Sequence, residues 1–534
     1  NKALSFAARG VYKIIYVAPE RLETASFLSF ALHTPISMVT VDEAHCISQW
    51  GQDFRPSYLK IIDFVEQMPG NPIISAFTAT ATEVVKNDIA RILKLKNPNV
   101  VVTGFDRENL YYQVEHLTGK QKDIFIQNYI ETHPNESGII YCATRKNVDT
   151  LYEKLLKQGV SVTRYHAGMS NDIRKKSQDD FIYDRAQVVI ATNAFGMGID
   201  KSNVRFVIHY NMPQSMENYY QEAGRAGRDG EPAKCILLFS TQDVMISKLL
   251  LGSKDFEGMD FQEIEQVKHQ DSRRLQLMEG YCMTTSCLRN YILKYFGETT
   301  HQPCDNCGNC HQEFEELDMT LDAKWVVGCI TEMRGRYGQA LVIGTLLGSK
   351  KARLKDIGAT SYNCYGQLEN RTEADLRLLI SQMIRMGYIT QTEGEYSVLK
   401  AGNIADLQNK NTKIIIKKFK EKEKISTTKK HKTPFKKDSF SASTESSSTD
   451  STATNSSHNS ALFEALRQLR LQIAKEESVP PYIVFTDRTL IDMCSKLPQN
   501  EDEMLNVSGV GQNKLKKYGQ RFLQEISAFQ SANH

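Results

Sequence analysis

Two adjacent carboxylates, Asp42 and Glu43, follow directly on the apolar run Met38-Val39-Thr40-Val41 and precede Ala44-His45. A strand that ends in Asp-Glu at the edge of a parallel sheet sets one carboxylate to hold the Mg²⁺ of a nucleotide and the next to polarise an attacking water. A solvated strand end is the plain alternative for such a tetrapeptide by itself. Further on, Ala76-Phe77-Thr78-Ala79-Thr80-Ala81-Thr82 closes another strand in small hydroxyl residues. These can hydrogen-bond between the carboxylates and a facing lobe and so couple hydrolysis to movement; alone, they would read as a strand followed by a Thr N-cap. The usual partner of the carboxylates, a phosphate-cradling loop G-x-x-x-x-G-K-[ST], occurs nowhere in the 534 residues. Half of a nucleotide site is missing.

Cations that could complete such a site stand in Glu217–Gly230, where Gln221, Arg225 and Arg228 fall at i, i+4 and i+7. That spacing predicts one shared helical face. Gly224 and Gly227 inside a helix would cost roughly 1 kcal/mol each relative to Ala, so close approach to a ligand or another lobe is the better reason for them. The two arginines could reach γ-phosphate oxygens as arginine fingers; an ordinary surface salt-bridge helix is the alternative. Between the two clusters, Val188–Lys201 reads as a strand entering a loop with Gly196, Gly198 and the carboxylate Asp200, able to touch both nucleic-acid backbone and nucleotide ribose.

A metal-binding pattern comes next. Cys287, Cys304, Cys307 and Cys310 are spaced C-x16-C-x2-C-x2-C, the first opening a helix and the others on a Gly/Asn-rich knuckle. Four thiolates so spaced close a tetrahedral structural zinc site with no open position; an iron–sulfur cluster is the competing reading. Cys46, Cys142, Cys235, Cys329, Cys364 and Cys494 read as small buried residues.

The elements that must position these groups alternate. Ile14–Val17, Met38–Val41, Ile73–Phe77 and Val100–Thr103 read as strands around a helix over Glu83–Leu95, and a second series runs through Ser137–Cys142, Ser161–Tyr165, Gln187–Ala191, Val204–His209 and Lys234–Phe239. This is the pattern of two parallel α/β lobes. Helices then lead into the cysteine cluster, and helices with a Tyr388–Leu399 hairpin suggest a winged helix. A Lys-rich stretch and then a Ser/Thr-dominated one cannot bury a core and read as a disordered tether. Helical apolar spacing from Ala461 opens an all-helical C-terminal domain. The expected divisions are 1–104, 105–240, 241–318, 319–408, 409–459 and 460–534.

Hydrophobic content of 41% and charged content of 24% are ordinary for a multidomain globular protein, and no apolar run approaches the ~18 residues of a membrane span. Sixty-six Lys+Arg against 63 Asp+Glu is too balanced to argue for nucleic acid by itself. The chain opens at Asn1-Lys2-Ala3-Leu4 in an apparent helix tail, which reads as a start inside a domain, an N-terminally truncated piece.

The ordered set Tyr16–Leu22, the Asp42–His45 and Thr78–Thr82 tracts, Tyr165–Met169, the Gly196–Asp200 loop and Gln221–Arg228 resembles superfamily 2 helicases, and among them the bacterial-type RecQ family. Gln49-Trp50-Gly51-Gln52-Asp53-Phe54-Arg55-Pro56 is similar to that family's aromatic-rich loop, which senses single-stranded DNA; the family pattern has a histidine where Gln52 stands. Trp50 and Phe54 would suit base stacking and Arg55 a phosphate, with Trp50 as a core residue the alternative.

The resemblance implies two RecA-like lobes, the first incomplete, then a zinc subdomain, a winged helix and a helicase-and-RNase-D C-terminal domain. It further implies ATP-dependent 3′–5′ unwinding of DNA in recombination, repair and replication-fork maintenance. Asp42, Glu43, Gln221, Arg225 and Arg228 would be catalytic. His45, Gly198 and Asp200 would join Asp42 and the two arginines around ATP and Mg²⁺, and Cys287, Cys304, Cys307 and Cys310 would hold one structural Zn²⁺. Lys350, Lys351 and Arg353, also readable as a solvated face, and Lys514 behind the Val507–Lys514 hairpin would hold DNA phosphates. Implied partners are single-stranded and duplex DNA, ATP and single-strand-binding protein, for a monomer in the bacterial cytoplasm. Two other readings stay open: a zinc-stabilised DNA-binding module without ATPase activity, and an RNA-directed ATPase.

Overall fold

The computed structural model describes all residues except 1, 49–53, 135, 197–198, 254–260, 300–302, 393–397, 405–411, 420–454 and 533–534. Trp50, Gln52 and Gly198 lie outside the described residues. Two compact units are formed, Asn1–Cys310 with Ser439–His534, and His311–Asp438.

The strongest element of the first unit is a six-stranded, all-parallel sheet. Its strands are β3 (Leu110–His116), β4 (Ser137–Tyr141), β5 (Val162–Tyr165), β6 (Val188–Ala191), β7 (Val204–His209) and β8 (Ala233–Phe239), in the order β3-β8-β7-β4-β6-β5. Continuous Val/Ile runs such as Val188-Val189-Ile190 suit strands covered on both faces, and every residue of β4 and β6 is buried. Successive side chains feed opposite cores: Ile139 and Tyr141 pack on one face, Ile140 on the other. The helix Arg145–Lys157 opens with Thr144, whose hydroxyl accepts the Asn147 N–H at 3.2 Å, and buries Val148, Leu151 and Leu155 at helical spacing. The sequence reading missed β3, although Leu110, Tyr112 and Val114 alternate inward along it.

The first lobe is thinner. Strands β1 (Met38–Val41) and β2 (Ile73–Ala76) pair in parallel, with helices Ala25–His33, Pro56–Gln67 and Glu83–Ile92 contributing Phe27, Phe64 and Val85 to a small core. The expected strands at Ile14–Val17 and Val100–Thr103 do not form. An apolar run becomes a strand only where a neighbour takes up its N–H and C=O groups, and no ladder is offered to these runs among the described residues. Ile14, Tyr16 and Val101 are consequently exposed.

The C-terminal part of this unit is all helical, with Asn455–Glu477, Asp487–Lys496 and Gln520–Ala532 packed around Leu466, Phe485, Leu490 and Phe522. Arg470 is fully buried within it and donates to Phe485 O at 2.9 Å and to the Asp487 carboxylate at 2.7 Å. Arg488 stands 3.7 Å from Glu231 of the six-stranded lobe.

The second unit packs helices Thr320–Glu332, Gln339–Leu346 and Glu373–Arg385 around Val326, Ile343 and Leu379. Strands β10 (Ile389–Gln391) and β11 (Leu399–Ala401) form the expected antiparallel hairpin. Strand β9 (Phe314–Asp318) pairs antiparallel with β12 (Ile415–Phe419). That strand falls inside the stretch from 409 expected to be tether. Ile416 within it and Ile414 just before it are buried, and β9 provides the ladder.

Candidate nucleotide site and zinc centre

Strand β1 stops at Val41 because Glu43 takes a left-handed backbone conformation, φ 48°. A non-glycine residue adopts this only where surrounding contacts enforce it. Asp42 accepts the Glu43 N–H at 2.9 Å and lies exposed. Two backbone bonds then stitch the loops after β1 and β2 together, Phe77 N to Val41 O at 2.8 Å and Ala44 N to Phe77 O at 2.9 Å. His45 is buried in that seam, its Nδ1 2.9 Å from Thr78 Oγ1 and 3.3 Å from the Glu43 carboxylate. The carboxylate tract and the hydroxyl tract singled out from sequence are thus joined through one imidazole. Beyond it, Arg55 N donates to Cys46 O at 3.0 Å. Phe54 and Arg55 are half-buried there.

The arginine segment departs from the expected shape. The helix Met216–Ala223, capped by Ser215 Oγ accepting from Asn218 N at 3.1 Å, ends before the arginines, with Gly224 as its C-cap. Gln221, Arg225 and Arg228 therefore do not share one helical face. Gly227 sits at φ +57°, where a Cβ would collide with Asn109 and the Glu231 carbonyl. Gly227 takes the left-handed turn that follows the helix, which is why a glycine is there, whereas Gly224 keeps a right-handed backbone and a Cβ on it would meet the Tyr220 carbonyl at 2.9 Å.

The turn is clamped by two residues that the sequence reading passed over. Arg107 donates to the carbonyls of Gly224, Ala226 and Gly227 at 3.3, 3.2 and 3.0 Å, and Asn109 Nδ2 to those of Gly227 and Glu231 at 2.8 Å each. Their only sequence signal is polarity immediately before β3.

The two arginines are not equivalent. Arg225 is buried and donates to Gly196 O, its guanidinium occupying the space that a Cβ on Gly196 would need. It holds the loop after β6. Arg228 is 35% exposed along its side chain and donates to Ile199 O at 2.8 Å, with the outward-facing Asp200 carboxylate at 3.3 Å. Of the pair, Arg228 is the one able to exchange these partners for a ligand anion. Gln221 is half-buried on the last turn of the helix. Behind it, buried His209 and Glu222 stand 2.8 Å apart and tie the helix to β7.

The four cysteines converge. The Sγ atoms of Cys287, Cys304, Cys307 and Cys310 lie within 4.8 Å of one another. Cys304 to Cys310 is 3.9 Å, Cys307 to Cys310 3.5 Å and Cys307 to Cys287 4.0 Å. Tetrahedral zinc at ~2.3 Å from each sulfur sets separations of ~3.8 Å, which these three pairs match closely. Cys287 is the N-cap of helix Leu288–Tyr295, and the knuckle is pinned by Asn309, which donates to Thr284 O at 2.8 Å and Ser286 O at 2.9 Å. The other seven cysteines are all buried, as expected of small packing residues.

The basic residues singled out for DNA are not uniform either. Lys350, Lys351 and Arg353 are exposed around the start of helix Ala352–Asp356. Lys514 is half-buried with its Nζ 5.5 Å from the Phe485 ring, and that burial pulls its pKa down. Lys517 is paired with Glu477 at 2.6 Å, whereas Lys516 is exposed.

Successive stretches of the chain match known families: residues 1–87 DEAD/DEAH box helicase, 121–230 helicase conserved C-terminal domain, 241–311 RecQ zinc-binding, 313–425 RQC domain and 459–526 HRDC domain. The protein named ATP-dependent DNA helicase RecQ of Bacillus subtilis is 40% identical over 97% of this chain and 81% of its own length. Proteins of the same name from Haemophilus influenzae and Pasteurella multocida are 35% and 36% identical, each over 98% of this chain and over 79% and 78% of their own lengths. With RecA-like lobes, a four-cysteine zinc centre, a winged helix and a helical C-terminal domain in the same succession, the chain belongs to the RecQ family of helicases.

Proposed function

We propose that the protein couples ATP hydrolysis to 3′–5′ movement on single-stranded DNA and to duplex unwinding, in recombination, repair and replication-fork maintenance. The observation that carries this reading is His45, which links the Glu43 carboxylate to Thr78 and so gives a hydrolysis signal a physical path out of the site. Asp42 would hold the Mg²⁺ that accompanies ATP and offsets phosphate charge. Glu43 orients the attacking water, and Arg228 moves from the Ile199 carbonyl and Asp200 to the transferring phosphoryl group. Arg225 keeps the Gly196–Asp200 loop in place for it.

DNA is gripped by many phosphate contacts, with Lys350, Lys351 and Arg353 on the winged helix and Lys514 and Lys516 on the C-terminal domain. Trp50 and Phe54 stack on bases and report their presence to Glu43. The protein works as a monomer in the bacterial cytoplasm, on the nucleoid, beside single-strand-binding protein.

A second reading has its own observation. No phosphate-cradling loop occurs in the 534 residues, so this chain alone is expected to bind DNA but to hydrolyse ATP barely or not at all. An RNA-directed ATPase is the poorer fit to a chain that also carries the zinc centre and the C-terminal domain. The deciding experiment is ATP turnover with saturating DNA, RNA or neither, on this chain and on one extended upstream by a phosphate loop. DNA-dependent turnover by the extended chain only is the expected result. Robust DNA-stimulated turnover by the 534 residues overturns the assignment of inactivity, and equal stimulation by RNA overturns the assignment to DNA.

A further inference from the structure

The helix Met216–Ala223, which leads into the arginine turn, rests at three points on the two helices around Cys287, Phe261–Met283 and Leu288–Tyr295 with its C-cap Phe296. Tyr295, on the last turn of the helix that Cys287 caps, donates its hydroxyl to Glu217 Oε1 at 2.5 Å. Glu217 is buried, and its second oxygen has no hydrogen-bond partner among the described residues. Tyr281 donates to the Tyr219 hydroxyl at 3.3 Å, both side chains being fully buried. Phe296 stacks on Phe105 and packs against Tyr220, whose hydroxyl donates to Phe105 O at 3.0 Å.

A second route runs from the same zinc-capped helix to the other end of the segment. Arg289 donates to the Asp106 carboxylate and to the carbonyls of Arg107 and Leu110, and Arg107 in turn holds the carbonyls of Gly224, Ala226 and Gly227. Both ends of Met216–Arg228 are therefore referred to one helix whose N-cap, Cys287, is a metal ligand.

We propose that Tyr295, through its hydrogen bond to Glu217, is a positioning residue for hydrolysis, by which the zinc-held helix fixes the place of Gln221 and Arg228. The physical reason is the buried carboxylate. Glu217 has one protein donor on a site closed to water, and losing it leaves a buried charge that the helix start must move to relieve. Burial and the adjacent Glu217 charge push the Tyr295 pKa far up, so the hydroxyl remains a donor at all working pH values. Zinc in this scheme does more than hold its own knuckle together. It sets the geometry of a phosphate-directed arginine that it never touches. The proposal rests on the ATPase reading above only for its consequence in turnover.

The test uses Tyr295→Phe and the double variant Tyr295→Phe/Glu217→Met. In the 534-residue chain, amide hydrogen exchange is followed by peptide, with zinc content measured alongside. Tyr295→Phe is expected to retain one zinc and to raise exchange over 216–223 by about tenfold, without changing strands β4, β6 and β7. Wild type stripped by a chelator is expected to show the same rise, together with a rise over 288–295. In the chain extended upstream by a phosphate loop, Tyr295→Phe is expected to lower kcat by about tenfold while KM for ATP and affinity for DNA change less than about twofold. The double variant, with no buried charge left to satisfy, is expected to recover most of that loss.

Unchanged exchange over 216–223 in Tyr295→Phe overturns the brace, whatever the extended chain does with ATP. Raised exchange with unaltered kcat, or failure of the double variant to recover, overturns the positioning role. Lack of turnover in the wild-type extended chain instead counts against the ATPase reading, and the exchange result still decides the brace.

Discussion

The two α/β lobes make opposite use of similar sequence. In the six-stranded lobe every residue of β4 and β6 is buried, and apolar side chains fill a core on each face of the sheet. In the first lobe β1 and β2 are mostly exposed or half-buried, and equally apolar runs at Ile14–Val17 and Val100–Thr103 lie open without forming strands. Val-Ile content is not the difference. What separates the lobes is the number of neighbours offered to each strand, since a run holds a strand conformation where another strand takes up its backbone N–H and C=O groups. Yet the thin lobe carries the carboxylates, while the thick lobe and its zinc centre carry the arginines. Chemistry and packing strength are distributed separately, and substitutions should separate them again.

The largest effect on folding is expected at the metal. Replacing Cys304 with Ser removes one of four sulfur ligands and should cost the zinc, together with at least ~4 kcal/mol of folding free energy, because binding energy of a structural metal is folding energy. Metal analysis and calorimetric unfolding check this. A variant with one zinc and unchanged unfolding, or one holding iron, would contradict it.

Glu43→Gln in the first lobe should do the reverse. Turnover by the upstream-extended chain should fall on the order of 10³-fold as the water-orienting carboxylate goes, with ATP and DNA binding and thermal unfolding retained. Loss of nucleotide binding would mean that Glu43, and not Asp42 alone, supports the Mg²⁺–ATP complex.

The smallest pair sharpens the contrast in packing. Ile208→Ala, at a fully buried position of β7, should lower stability by about 3 kcal/mol, and Ile14→Ala, at a position 72% exposed, by less than about 0.5 kcal/mol. Parallel melts of the two variants measure it. An equal loss at Ile14 would show that this run is covered in solution, and would erase the difference between the lobes.

Much of the site was legible because its chemistry is carried by residue type and short spacing. Asp42-Glu43 after an apolar run, three cysteines at two-residue gaps with a fourth upstream, and Val188–Ala191 as a covered strand each needed only local pattern. The arginine turn was misread because two glycines at helical spacing look alike whether they line a helix face or end the helix. Only the φ of +57° at Gly227 and the clamp by Arg107 and Asn109 distinguish the cases. Strand β12 was read as tether for a related reason: its ladder partner β9 lies roughly a hundred residues earlier, and no local signal points to it.

By itself the sequence determined which groups exist to do chemistry. It holds enough thiolates at workable spacing for one zinc, a carboxylate pair at a strand end with a histidine two residues on, a run of small hydroxyl residues, and two arginines within three residues of each other. These follow from covalent order, because neighbouring side chains on a short loop or turn cannot be far apart.

The tertiary structure decided which of those groups are available. Arg225 and Arg228 have the same side chain and nearly the same address, yet the fold buries one against Gly196 and leaves the other partly exposed beside Asp200. It also put His45 between Glu43 and Thr78, and Tyr295 against Glu217. Burial and partner choice depend on contacts between residues tens to nearly two hundred positions apart, and it is these that set whether a charge is a scaffold or a tool.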